Sequence, residues 1–353
     1  MNPKILHRQN RIYLKPFGFF LILTISSIVQ FSCQILLATE IISNEECILQ
    51  LISTAPDTMT IGEAKGQCYS QKVEKPILQK LQDKGAGVVE ERLASDDKNI
   101  LTPFSLMAHH SNYLLAGAYN FHGWNSTVYK DTIENDIAFD NTELQFQLSI
   151  KTPLAIDLFD KKLDIFAAYT VRSFWQAYNN DISSPFRETN HEPEIWLQTV
   201  NDWEFLGFKN SANILGIAHQ SNGQAAELSR SWNRVYAGIL LEKENLAIYL
   251  KPWFRISEDE SSDDNPDITD YLGHGEILLA YKKGDHFFTL MSRNNLESGF
   301  SKGAVELGWS FPLFNYDYVK GYIQYFSGYG ESLIDYNNYV NRIGFGILLT
   351  DIL

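Results

Sequence analysis

Past residue 40 the chain has no run of eighteen apolar residues, so nothing there is long and apolar enough to cross a bilayer as a helix. Positive charge is scarce: 29 Lys and Arg stand against 43 Asp and Glu, a formal net charge of -14. A polyphosphate backbone would be repelled, which excludes nucleic acid as a partner but leaves a metal cation open. The acidic stretch Asp259–Asp270 lacks the ligand spacing of an EF-hand and reads as a solvated loop. Ser327–Ser332 lacks the Gly-x-Ser-x-Gly spacing and the following helix of a nucleophile elbow, so it reads as a turn at a strand end. His109 and His110 have no evident partners and read as surface residues.

What is abundant is aromatic. Phe, Trp and Tyr make up 13% of residues while the mean hydropathy is only -0.20, so apolar residues are interleaved with polar ones. At the N-terminus, Lys4, His7, Arg8, Arg11 and Lys15 precede the apolar stretch Phe17–Val29, a basic region followed by a hydrophobic one as in an export signal. Ser32-Cys33 and Ala38-Thr39 are both candidate cleavage points, and residues 1–38 are taken as the signal. In an oxidising compartment Cys47 and Cys68 are expected to pair, closing a loop of about twenty residues worth roughly 3 kcal/mol. Residues 39–100 have helical spacing at Asn44–Ile52 and Lys75–Lys84, then a charged stretch from Glu90 to Asn99. They predict a small, partly helical periplasmic appendage running into a linker.

From residue 101 to 353 the period changes to two. Glu143–Lys151 alternates apolar and polar without a miss, and Ile165–Phe174, Leu246–Trp253, Glu276–Tyr281, Phe287–Ser292, Ala304–Phe311, Val319–Tyr325 and Ile343–Leu349 continue the pattern. Short turns such as Lys283-Gly284-Asp285 alternate with long connections such as Ser257–Asp270. In hydrocarbon every backbone N–H and C=O must pair, so a sheet has to close on itself with lipid on one face and the lumen on the other. About twelve strands of roughly ten residues fit the available length. The reading is all-β: a twelve-stranded antiparallel transmembrane β-barrel.

One stretch stands out chemically. In a strand, His219 and Ser221 share a face, hydroxyl beside imidazole. If the chain turns after Gly223 and returns through Trp232–Val235, Asn233 comes back beside His219 to orient its ring, giving a Ser-His-Asn arrangement across two strands. A neutral amide fixes the tautomer without putting a carboxylate into a low-dielectric wall. The backbone N–H of Gly223 is a candidate oxyanion donor. Ser229 and the carbonyl of Gln224 are oxygen donors of the kind Ca²⁺ prefers.

The strings Ser183–Asn190, His219–Gly223, Ser229–Arg234, Lys251-Pro252-Trp253, Asp264–Thr269 and Tyr325–Asn337 together resemble, in order, those of the outer-membrane phospholipase A family. The resemblance implies a twelve-stranded barrel in which Ser221 is nucleophile, His219 base and Asn233 its orienter. It also implies a calcium-dependent homodimer of the Gram-negative outer membrane that hydrolyses acyl esters of phospholipids and lysophospholipids. Calcium would be held by the hydroxyl of Ser229 and the carbonyl of Gln224 from one subunit and by Ser183 from the other, with Gly223 N–H and a calcium-bound water as the oxyanion hole. Four positions depart from the family pattern: Gln224 stands where Arg is frequent, Val171 replaces a Gln that helps hold the Asn and pack the dimer, His191 replaces an aromatic, and the final residue is Leu353 where an aromatic is usual in exported barrels. The rival reading is a non-enzymatic barrel, a pore or adhesion platform. A soluble lipase is disfavoured because the strand, Gly-x-Ser-x-Gly turn and helix of the α/β-hydrolase elbow are missing as a unit. Detergent, and not high salt, is expected to release the protein from membranes; release into a salt wash would contradict the barrel.

Overall fold

The computed structural model describes residues 87–352, apart from 101–105, 130–137, 162, 260, 262 and 315. The signal over 1–38, the Cys47–Cys68 pair and the appendage from 39 to 86 lie outside the described residues.

Alternating sequence becomes twelve long strands among the described residues. They are β1 (Asn112–Asn120), β2 (Thr142–Asp157), β3 (Leu163–Trp175), β4 (Phe186–Val200), β5 (Phe208–Ser221) and β6 (Ser231–Lys243). The other six are β7 (Leu246–Ile256), β8 (Gly275–Lys283), β9 (His286–Asn294), β10 (Gly303–Leu313), β11 (Tyr316–Gly328) and β12 (Val340–Thr350). Each pairs antiparallel with its chain neighbours, and β12 pairs with β1, which closes the sheet and leaves no edge in hydrocarbon. One end carries both ends of the described stretch and tight reversals such as Glu244-Asn245 and Gly284-Asp285; the other carries the long connections.

The period of two sorts side chains by face. Leu215, Ile217, Ile239, Ile277, Leu307 and Phe345 point outward and are exposed. Their strand neighbours Ala218, Trp232, Tyr236, Ala280 and Gln324 are buried inward. Exposed aromatics, among them Trp203, Phe205, Phe314 and Tyr316 toward one end and Tyr119, Phe121 and Phe254 toward the other, form the interfacial bands expected of a barrel wall.

The lumen is packed with paired charge. The Arg187 guanidinium donates from Nε and Nη2 to the two oxygens of Glu143 at 2.9 and 3.0 Å, donates from Nη1 to Asp335, and stacks on Trp124 at 4.1 Å. Arg342 bonds Glu331 and Gln324, and Arg172 adds a second contact to Glu331 at 3.3 Å. Glu331 and Asp335 belong to the 329–339 connection, so the Ser327–Ser332 string is more than a strand-end turn: the segment after it folds down into the barrel mouth.

The charged stretch Glu90–Asn99 is not a linker but the body of helix α1 (Val88–Ile100). Val88, Val89 and Leu93 pack on Ala247, Ala280 and Phe287 of the wall, while the Glu242 carboxylate accepts the Val89 N–H at 2.9 Å at the helix N-terminus. The charges that suggested a linker are consumed by Lys209, Lys282 and Lys151, which pair with Glu90, Glu91 and Asp96. His109 and His110 do not lie on the outer surface; both line the lumen, where His109 Nε2 meets a Glu194 carboxylate oxygen at 2.8 Å.

Leu307 sits near the middle of β10 on the outward face. Leu307→Arg is expected to destabilise the barrel by about 2–4 kcal/mol in bilayers, read from denaturant folding titrations in vesicles. An unchanged midpoint would contradict the assignment of this face to lipid.

Candidate active site

Strands β5 and β6 meet the long-loop end in a fixed register: His219 faces Asn233 and Ser221 faces Ser231. Ser221 and His219 lie two residues apart on the outward face, continuing the row of exposed Leu215 and Ile217. Asn233 likewise continues the row of Val235 and Ile239 on β6. The three side chains therefore occupy the outer wall at the rim of the apolar band.

The ring of His219 is held by its Nδ1, 2.8 Å from Asn233 Oδ1. The amide's orientation is settled by its other end, where Asn233 Nδ2 donates to Glu258 Oε1 at 2.9 Å. A carboxylate only accepts, so the NH₂ group faces Glu258 and the carbonyl faces the imidazole. His219 then carries its proton on Nδ1, and Nε2 presents a lone pair on the face shared with Ser221. The carboxylate kept out of the wall returns one bond further away, on the loop that follows β7.

The connection from Asn222 to Arg230 is built around the buried Asn222 side chain. Its Oδ1 accepts from the N–H groups of Gln224 and Arg230 at 3.2 and 3.0 Å, and its Nδ2 donates to the carbonyl of Leu228 at 2.8 Å. That clamp leaves Gly223 at φ +65°, a left-handed conformation that glycine adopts without strain, with its backbone exposed beside Ser221. Gln224 is exposed, and Ser229 donates its hydroxyl to Asp264. Ser183 lies elsewhere, exposed in the β3–β4 connection with φ +56°, and the fold does not by itself bring it to Ser229. The acidic loop is not simply solvated: Asp263 pairs with Arg255, Asp264 takes Ser229, and Asp267 accepts from Tyr336.

His191 and Val171, legible in the sequence only as departures from the family pattern, prove to be neighbours of Ser221. His191 is the register partner of Ser221 across β4 and β5, 2.6 Å by its Nδ1 from the Tyr169 hydroxyl. Val171 is in turn the register partner of His191, so Val171, His191 and Ser221 form one row around the wall. Glu258 and Asp264 carry no local signal because only pairing with β6 brings their loop here. The string Gly299-Phe300-Ser301-Lys302-Gly303 does match Gly-x-Ser-x-Gly, yet Ser301 lies in an exposed turn followed by β10 and not by a helix, so it is no nucleophile elbow.

Comparison with known proteins gives a consistent result. A family model described as Phospholipase A1 matches residues 89–349. Phospholipase A1 of Klebsiella pneumoniae is 37% identical over 269 residues, covering 75% of this chain and 88% of that protein. Phospholipase A1 of Escherichia coli K12 is 37% identical over 253 residues, covering 71% and 83%. Among solved structures, the Salmonella typhi outer membrane phospholipase, a dimer with bound calcium, is 36% identical with a TM-score of 0.66 over 72% of this chain and 97% of that one. Outer membrane phospholipase A from Escherichia coli matches at 36% identity and TM-score 0.65, covering 71% and 100%. A variant of the Escherichia coli protein described as an active-site mutant, asparagine to alanine, matches at 35% identity and TM-score 0.66.

The hydrogen bond to Asn233 fixes one tautomer of His219. In ¹⁵N spectra of the labelled protein, Nδ1 of His219 is expected to be protonated and Nε2 bare, and Asn233→Ala to move both signals toward the tautomer mixture of a free imidazole. Signals unchanged by that substitution would contradict the bond.

Proposed function

This chain belongs to the phospholipase A1 family, and on that premise we propose that it hydrolyses acyl esters of phospholipids and lysophospholipids at the outer wall of an outer-membrane β-barrel. The observation that carries the reading is an outward-facing serine two residues from an imidazole whose Nδ1 is hydrogen-bonded to an asparagine carbonyl. Lipid glycerol esters lie at the level of the rim where these groups sit, so a substrate reaches them laterally without crossing the barrel.

Ser221 attacks the ester carbonyl while Nε2 of His219 takes the hydroxyl proton. Asn233 holds the resulting imidazolium through the Nδ1–H bond and is itself restrained by Glu258. The carbonyl oxygen, now anionic, turns toward the backbone N–H of Gly223, where no Cβ obstructs it. His219 returns the proton to the departing alcohol, and a water activated by the same Nε2 releases the fatty acid from Ser221.

The groups beside the triad suit a hard cation. The Ser229 hydroxyl bonded to the Asp264 carboxylate, and the carbonyl of exposed Gln224, are oxygen donors with net negative charge among them. Ca²⁺ bound there, with Ser183 of the partner subunit completing the set, would supply positive charge to the developing oxyanion. The wall beside the site is suited to a second barrel: Leu148, exposed, faces Val171 in register, and Val171 faces His191, a largely apolar row leading to Ser221. The homodimer is therefore part of the proposal. Within this arrangement Val171, in place of a glutamine, contributes apolar contact and no hydrogen bond.

The rival pore reading is weakened by the lumen, which is crossed by α1 at one end, by the 329–339 segment at the other and by the Arg187 and Arg342 networks between.

Ser221→Ala is expected to lower phospholipid hydrolysis by at least about 1,000-fold while the purified barrel keeps its heat-modifiable migration in gels. Undiminished fatty-acid release from the folded variant would remove Ser221 as nucleophile. Chelation with EDTA is expected to abolish activity and added Ca²⁺ to restore it; an enzyme indifferent to both would end the calcium assignment.

A further inference from the structure

On the other side of the wall, the lumen holds a second cluster that the hydrolytic reading does not use. Among the described residues, His109, His110 and Glu194 each offer a ligand atom, and these atoms lie within 4.8 Å of one another. His109 Nε2 is 2.8 Å and His110 Nε2 3.7 Å from the same oxygen of Glu194. Consecutive residues of a strand point to opposite faces; these two rings converge, with centroids 4.1 Å apart, because the chain bends at His110 just before β1.

The convergence is built. The N–H of His109 donates to the Ser149 carbonyl and that of His110 to Ser149 Oγ, each at 3.1 Å, which anchors both backbones to β2. The His109 ring stacks on Trp196 at 4.8 Å and 24°. Glu194 is fixed through its second oxygen, which accepts the Tyr236 hydroxyl at 2.9 Å and faces Lys251 Nζ at 3.8 Å. Metal-ligating groups are held in just this way by partners on their far side. A lumenal cavity of about 340 Å³ adjoins all three residues, leaving room for a water in an open coordination position.

We propose that His109, His110 and Glu194 form a lumenal binding site for a borderline divalent transition metal of the Zn²⁺ class, distinct from the oxygen-lined site on the outer wall. Two imidazoles and one carboxylate with an open position are a Zn²⁺ donor set, whereas Ca²⁺ takes oxygen ligands. The ion would tie the segment that leads into β1 to strand β4, two strands along the wall from its anchor on β2, so metal binding stabilises the barrel from inside. The inference does not depend on the hydrolytic reading.

The test uses the untagged full chain, refolded in detergent, stripped by chelator and dialysed against Zn²⁺ or Co²⁺. Elemental analysis is expected to find one Zn²⁺ retained per chain. The Co²⁺ form is expected to show the visible absorption of a four-coordinate, nitrogen-ligated ion, displaced by Zn²⁺, and X-ray absorption of the Zn²⁺ form is expected to show imidazole scattering from two ligands. His109→Ala/His110→Ala and, separately, Glu194→Gln are expected to lose the retained ion and the Zn²⁺-dependent rise in unfolding midpoint, while heat-modifiable migration reports that each variant is folded. A parent chain that retains no Zn²⁺, or folded variants that retain as much as the parent, overturns the proposal. Should the variants not fold, zinc scattering in the parent with no imidazole, or with only one, overturns it equally.

Discussion

A bilayer offers the backbone no hydrogen-bond partners, and the pairing of β12 with β1 is the interaction on which everything else in this structure depends. Closure forces every strand to present one face to lipid and one to the lumen. The outward rows are consequently apolar through their middle and aromatic near their ends. The inward rows, shielded from lipid, can carry Glu143, Arg187, Gln324 and Arg342 at almost no exposure, provided each is paired. A single geometrical requirement thus yields two environments of opposite polarity a few ångströms apart.

The proposed active site exploits the boundary between them. At the long-loop end the outward row of β5 changes from Leu215 and Ile217 to His219 and Ser221 within one alternation, and β6 supplies Asn233 at the matching height. Polar groups deeper in the wall would lose their solvation; groups further out would lose lateral access to lipid esters. Loop carboxylates from beyond the strand ends complete what the wall cannot hold: Glu258 steadies the amide and Asp264 meets Ser229. The rigid register of two strands, and not a mobile loop, sets the spacing of base and orienter, which is where positional precision matters for proton transfer.

The lumen plays a different part. Helix α1 across the short-turn end and the 329–339 segment in the mouth convert a tube into a filled core, with Glu242, Glu331 and Asp335 as the anchoring carboxylates. Core and wall share a strand, since Arg187 and Glu188 belong to β4 as does His191, the register partner of Ser221. The His109, His110 and Glu194 cluster lies within this core and ties the chain's path into β1 to that strand as well.

The alternation of residues 143–151 and its repeats determined, without coordinates, that the chain makes a barrel with separate lipid and lumen faces, because a period of two is a local property of extended backbone. The same locality made the shared face of His219 and Ser221 legible, and the position of Asn233 followed from a short return. Tertiary structure alone decided the rest. Glu90, Glu91 and Asp96 look like a solvated linker until Lys209, Lys282 and Lys151 arrive from strands more than fifty residues away. His109 and His110 look partnerless until the pairing of β2, β3 and β4 sets Glu194 beside the segment anchored to Ser149, and Glu258 and Asp264 look like part of an acidic loop until the pairing of β6 and β7 folds them onto Asn233 and Ser229. Pairing between distant charges leaves no periodic trace in sequence, since either sign can be satisfied by any partner that the closed sheet happens to bring near.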